Sequence, residues 1–213
     1  MTKIIAFAGK KQSGKSTSAE FVERLYLDKF ILGNVKIYSF ADPLKRDVCI
    51  NILGLTYKQC YGSDEDKNTP TKLKWVDMPG WGTDQYPWPV KNHIEAQRFM
   101  TAREVMEFVG TGIFRRMYED VWVDATLKLI DKDRPAIALI NDLRFGANEG
   151  AAVKNRGGII IKLERNPFNS QAMSERGLDP DQCDQSIFDC IIPGELSIED
   201  RNNMIRKFLQ GKL

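Results

Sequence analysis

Lys3-Ile4-Ile5-Ala6-Phe7-Ala8-Gly9-Lys10-Lys11-Gln12-Ser13-Gly14-Lys15-Ser16-Thr17 stands at the head of the chain and organises the rest of it. The apolar run Ile4 to Ala8 reads as a buried strand and breaks at Gly9. A helical pattern follows from Gly14, with Ala19, Phe21, Val22 and Leu25 on its apolar face. Between strand and helix, G-x-x-x-x-G-K-[ST] has every required position filled. Its glycines allow a tight turn whose backbone N–H groups converge into a nest for phosphate oxygens, and the helix N-terminus adds partial positive charge. In that setting Lys15 reaches the β- and γ-phosphates and Ser16 offers its hydroxyl to a magnesium ion. A chance glycine-rich turn would need neither the strand before it nor the helix after it. The stretch therefore predicts a nucleoside triphosphate site made by Gly9, Lys11, Gln12, Ser13, Gly14, Lys15, Ser16 and Thr17.

Downstream, Val35 to Phe40 alternates as a second strand. Asp42 then reads as an N-cap with Pro43 at the first helical position, and Leu44, Val48, Ile52 and Leu53 share a face up to Gly54. Strand, loop, helix, strand, helix is the opening of a parallel α/β sheet. The rhythm is lost from Thr56 to Ile94, where Pro70, Pro79, Pro87 and Pro89 forbid long elements. Trp75, Trp81, Trp88, Tyr57, Tyr61 and Tyr86 crowd this polar stretch. Two readings stand side by side: a flap that covers substrate and stacks on a base, or aromatics that pin an insertion (about 56–95) to the body.

Thr101 with Glu104 resembles a capping box, and its helix is expected to stop at Gly110-Thr111-Gly112. A second helix would carry Arg115 and Arg116, and a third would run from Trp122 to Ile130. The most apolar run, Ala136 to Ile140, predicts a central strand buried on both faces. Asn141-Asp142-Leu143-Arg144 follows at its C-terminal end, where open α/β sheets bind ligands. Asp142 is thus a candidate to hold magnesium or its water, and Arg144 to stabilise charge on a transferring phosphoryl group. A local Asp–Arg pair in a strand-end turn is the plainer alternative. A helix over Asn148 to Asn155, a strand over Ile159 to Leu163 and a polar lid over 164–184 come next. The chain then reads as a short strand over Ile187 to Ile192 and a C-terminal helix packed through Ile198, Met204, Ile205 and Leu209.

The 213 residues are 42% hydrophobic and 28% charged, an ordinary soluble composition that suits one domain without linker or repeat. A net charge of +2, from 31 basic and 29 acidic side chains, is too balanced for a nucleic-acid or membrane-surface protein. No run approaches the ~18 apolar residues of a membrane span. The start in a core strand leads us to expect no signal peptide and a cytoplasmic location. Cys49, Cys60, Cys183 and Cys190 show no CxxC pairing, and His93 is the only histidine, which argues against structural zinc.

Taken together, these blocks resemble the deoxynucleoside monophosphate kinases of bacteriophage type. The resemblance rests on the phosphate-binding loop, Phe40-Ala41-Asp42-Pro43-Leu44-Lys45, Arg103 with Gly110-Thr111, and Tyr118 with Trp122-Val123. It continues through Asp142-Leu143-Arg144-Phe145, Asn148-Glu149 and Ser174-Glu175, in order over nearly the whole chain. It implies an adenylate-kinase-like α/β fold with a parallel sheet of about five strands flanked by helices. It also implies transfer of the γ-phosphoryl of ATP, with Mg2+, to a deoxynucleoside monophosphate. Asp42, Lys45, Arg103, Gly110, Thr111, Arg115 and Trp122 would line the acceptor side. Lys15, Asp142 and Arg144 would sit at the reacting phosphates, Ser16 and Asp142 on the metal, and Arg165 near the lid. Gln12 stands where such kinases often carry a basic residue, so the loop's charge must come from Lys10, Lys11 or elsewhere. The implied partners are small molecules, with no nucleic acid and no membrane. A homodimer is left open, as is a host-cell cytoplasmic location for a phage-encoded chain. Competing readings are another small-acceptor kinase (for dephospho-coenzyme A or a nucleoside), a nucleic-acid-associated ATPase, and a nucleotide-binding module without turnover.

Overall fold

The computed structural model describes residues 2–27, 34–84, 88–167 and 176–212. Tyr86, Pro87, Ser174, Glu175 and the middle of the expected lid lie outside the described residues. The strands are β1 (Lys3–Gly9), β2 (Val35–Tyr38), β3 (Pro70–Lys74), β4 (Phe99–Thr101), β5 (Ile137–Leu143), β6 (Ile159–Leu163) and β7 (Cys190–Ile192). The three long helices are α1 (Lys15–Leu27), α2 (Val121–Asp133) and α3 (Ile198–Leu209). The chain divides into two compact units, Met1–Phe40 with Val123–Leu213, and Ala41–Trp122.

The first unit is built on a five-stranded sheet in the order β2-β5-β1-β6-β7, with every neighbouring pair parallel. This is the parallel α/β sheet expected from the sequence, and β1 lies at its centre. Even-numbered side chains of β1 (Ile4, Ala6, Ala8) pack with Ala138 and Ile140 of β5 and with Val123, Leu127 and Ile130 of α2. Odd-numbered ones (Ile5, Phe7) pack with Leu139 and Ile161, with Ala19 and Val22 of α1, and with Ile205 and Leu209 of α3. Successive strand residues point to opposite faces, so helices on both faces demand the unbroken apolar runs seen in the sequence. Each such Ile, Leu or Phe contributes roughly 1.5–3 kcal/mol through burial.

β5 runs further than the apolar run alone suggests. Its register with β1 goes from Ala6 opposite Ile140 to Ala8 opposite Leu143, so two steps on β1 match three on β5. The extra residue falls at Asn141–Asp142, a bulge of the kind that re-aims a side chain at a strand end. The last strand is shorter than expected: Gln185–Ile187 is a 3-10 turn, and pairing begins only at Cys190.

The second unit has a core of its own, with Cys49, Cys60, Trp75, Met100, Val105 and Phe108 fully or almost fully buried. Trp75 meets Trp88 and Phe108 edge-on at 6.2 and 5.8 Å, and Trp81 meets Trp88 edge-on at 5.3 Å. These tryptophans pack into the second unit's own core. Tyr57 differs: it is 70% exposed and stacks on Tyr61 at 4.7 Å. Where the rhythm was lost, β3 pairs antiparallel with β4, and two short helices are closed by capping boxes at Thr56 and Ser63.

Two local expectations are corrected here. Asp42 does not cap the helix Pro43–Ile50: its own backbone is helical (φ −65°, ψ −42°) and its side chain makes no cap bond. The helix itself is π-type, and Ile52, assigned to its apolar face, is 74% exposed. Nor does the helix that begins after Thr101 stop at Gly110-Thr111-Gly112; it continues as a π-type segment, Phe108–Arg115. Gly110 is there for packing, since a β-carbon on it would lie 2.6 Å from Cδ2 of Leu44. The capping box at Thr101 is as expected, with Thr101 Oγ1 accepting from the Glu104 amide and Glu104 Oε2 from the Thr101 amide.

Candidate active site

The phosphate-binding loop joins the C-terminal end of β1 to α1. It needs unusual backbone at three places: Gly9 (φ 156°), Gln12 (φ 56°) and Gly14 (φ 100°). A β-carbon on Gly9 would stand 2.5 Å from Ser13 Oγ and 2.8 Å from the Leu163 carbonyl. Gln12 holds the left-handed conformation without being glycine, an uncommon cost concentrated at functional loops. Lys15 is only 7% exposed, and its ammonium donates to the carbonyls of Gly9 and Lys10, both at 2.7 Å. Carbonyl dipoles thus offset part of the desolvation of a buried cation. Ser13 is buried with its hydroxyl unpartnered, while Ser16 and Thr17 are exposed at the start of α1. Lys10 faces Asp179 at 3.3 Å.

Beside the loop in the sheet order stands the end of β5. Asp142 accepts from the Ser39 hydroxyl (2.5 Å) through one carboxylate oxygen and from the Phe40 amide (2.8 Å) through the other. It thereby ties down the chain leaving β2. Arg144 and Phe145 donate their backbone amides to Oε2 of Glu149, at 2.8 and 3.1 Å, and Glu149 is 2% exposed. A buried carboxylate therefore sets the turn that carries Arg144. Arg165 lies exposed just past β6. Of the lid, Arg176 pairs with Asp181 at 2.7 Å. Among the described residues there is no cluster of three or more His, Cys, Asp or Glu. The hard oxygens of Ser16 and Asp142 nevertheless suit magnesium, which keeps much of its water and needs few protein ligands. A cavity of about 1000 Å³ bordered by Lys3, Asn34, Pro135 and Arg156 opens at the opposite, N-terminal ends of β1 and β5, where such sheets do not bind nucleotides.

The residues expected on the acceptor side all fall in the second unit. Asp42 accepts from the Tyr61 hydroxyl at 3.0 Å, and the Lys45 ammonium lies 4.9 Å from the centre of the Tyr61 ring. Burial, then Asp42, pushes the Tyr61 phenol well above its ordinary pKa. Arg103 donates to Asp64 (2.6 Å) and Asn68 (3.2 Å). Trp122 is 5% exposed, with its indole N–H on the Gly110 carbonyl at 3.2 Å and Phe114 against its ring. Thr111 is exposed and Arg115 half-buried.

Motif reading names Tyr61 and Glu149 without these roles and passes over Arg201 altogether. Arg201 sits in α3, is 7% exposed, and has Nε and Nη2 buried without a partner. On the sequence it is one polar residue of an amphipathic helix, with nothing to mark it.

No family model matches the chain. Two curated proteins do. One is a "Putative deoxynucleotide monophosphate kinase" of Acanthamoeba polyphaga mimivirus, 28% identical over 176 residues, covering 76% of this chain and 74% of the relative. The other is a "Deoxynucleoside-5'-monophosphate kinase" of Escherichia phage T5, 26% identical over 187 residues and 72% of each chain. The resemblance to the phage-type deoxynucleoside monophosphate kinases holds. Among solved structures, an APS kinase of Mycobacterium tuberculosis superposes with a TM-score of 0.41 at 16% identity, over 99% of this chain and 98% of its own. No described helix is long and apolar enough to cross a membrane.

Proposed function

We propose that the chain transfers the γ-phosphoryl group of ATP to a deoxynucleoside monophosphate, giving ADP and the nucleoside diphosphate. The observation that carries this reading is the loop, where the Lys15 ammonium waits on two carbonyls that phosphate oxygens would replace. The names of the two curated relatives supply the acceptor class.

The chemistry needs little from a general base, because the attacking phosphate oxygen is already anionic at neutral pH. Positioning and charge neutralisation supply most of the rate. The nest of loop amides at the start of α1 orients the donor's phosphates, and Lys15 follows the charge that develops on them. Arg144, on the turn set by Glu149, meets the transferring group. Ser16 and Asp142 would hold magnesium, which when bound neutralises charge on the donor's phosphate oxygens. Arg165 belongs to the donor side. Asp42, Lys45, Arg103, Gly110, Thr111 and Arg115 form the acceptor side, and the buried Trp122 shapes it through Gly110. A cytoplasmic location, that of the host for a phage-encoded chain, goes with soluble substrates of this kind.

The test is ADP formation from ATP and magnesium against a panel of deoxy- and ribonucleoside monophosphates, with dephospho-coenzyme A, nucleosides and water as controls. Turnover with one or more deoxynucleoside monophosphates is expected. Activity confined to a control acceptor would pass the loop to another small-acceptor kinase, and ADP formation with water alone would make it an ATPase. Lys15→Ala is expected to lower kcat about a hundredfold or more, with unchanged circular dichroism. Wild-type turnover in that variant would remove the loop from the mechanism.

A further inference from the structure

Arg201 is the one described arginine side chain that is both buried and short of hydrogen-bond partners. Its guanidinium lies against the phosphate-binding loop: a β-carbon on Gly14 would sit 2.2 Å from Nη1 and 3.2 Å from Cζ. No carboxylate pairs with it among the described residues. Burial, and after it the positive charge of Arg165, pulls the guanidinium below its ordinary pKa. A buried charge without a counter-charge is costly, and a like charge acting on it adds to that cost. Such an arrangement is sustained where an anion arrives to complete it. The loop is where a polyphosphate would arrive. Of the loop's own side chains, Gln12 carries no charge and Lys10 is turned to Asp179, which leaves room for a cation brought from elsewhere in the chain.

We propose that Arg201 binds the donor's triphosphate, its planar fork reaching the phosphate oxygens from the Gly14 side of the loop, with Arg165 as the second cation. This rests on the reading of the loop as the donor site and deepens it. The two ends of α3 then serve two purposes: Ile205 and Leu209 anchor it under the sheet, while Arg201 adds a second buried cation to that of Lys15.

Calorimetry and thermal unfolding of wild type, Arg201→Met and Arg201→Lys, each with ATP–magnesium and with inorganic tripolyphosphate, test the assignment. Wild type is expected to bind both ligands. Arg201→Met should weaken both by about ten- to a hundredfold, the range for a charge-assisted hydrogen bond. Its ligand-free Tm should stay equal or rise, because an uncompensated buried charge is removed. Arg201→Lys keeps the charge but not the fork, and should weaken both ligands by a smaller factor. Wild-type affinity in both variants would overturn the proposal. So would a lower ligand-free Tm with affinities intact, the mark of a purely structural arginine, and so would loss of ATP binding with tripolyphosphate retained, which would move the contact to the base. If Arg201→Met does not fold, Arg201→Lys decides: weaker binding of both ligands at an unchanged Tm supports the assignment, and unchanged binding overturns it. Failure of wild type to bind either ligand would instead remove the donor-site reading itself.

Discussion

Gly14 carries no side chain, and the Arg201 guanidinium fills the space one would take. Gly14→Ala would place a β-carbon against Nη1 and force a left-handed backbone, at about 1–2 kcal/mol for the backbone alone. Urea unfolding should show that loss, and ATP affinity should fall with it; a variant as stable and as tight as wild type would mean that the loop tolerates the side chain by shifting Arg201. Glu149 works through other residues, its carboxylate taking the amides of Arg144 and Phe145. Glu149→Ala strands both half-buried donors, at roughly 1 kcal/mol each. It should also lower kcat more than it raises KM, since Arg144 would be mispositioned; a loss of stability with kcat unchanged would make Glu149 structural alone. Of these residues, Gly14 announced itself by motif spacing. Glu149 stood in the Asn148-Glu149 block without its role, and Arg201 in no block at all, because a buried charge looks like a surface charge until the fold closes over it.

The elements differ in how openly they were written. β1 and β5 were legible as apolar runs, since burial on both faces removes the polar alternation that would confuse them with turns. The bulge at Asn141–Asp142 was not, because an extra residue in one strand is defined only by the register of its neighbour. The box at Thr101 was legible, as caps are local chemistry: Thr101→Ala should cost ~1 kcal/mol in thermal unfolding. The Gly110-Thr111-Gly112 segment misled, since glycine signals a stop in isolation yet here answers to the nearness of Leu44. In the second unit's core, burial first, then neighbouring Cys60, pushes the Cys49 thiol up to about 12, and burial likewise raises Cys60. A thiol reagent at pH 8 should leave both unmodified in the folded protein and react with both in urea, whereas prompt labelling of either would show that this core opens readily.

At the scale of the whole molecule, a ligand that binds only the folded state stabilises it by about 2.7 kcal/mol at a hundred times its Kd. Saturating ATP–magnesium should therefore raise Tm, and Lys15→Ala should abolish most of that rise. An unmoved wild-type Tm would count against donor binding at the loop. The sequence by itself determined the parallel α/β sheet and the loop at the end of its first strand. Both are local: one apolar run sets a doubly covered strand, and one spaced motif sets a backbone nest. Only the tertiary structure decided the rest. It turned a stretch of scattered tryptophans and prolines, with no readable period, into the core of a second unit around Trp75. It also brought Arg201, from the far end of the chain, against Gly14. Neither arrangement has a local signature, because side-chain burial and the pairing of charges are properties of what the fold brings together, not of neighbours along the chain.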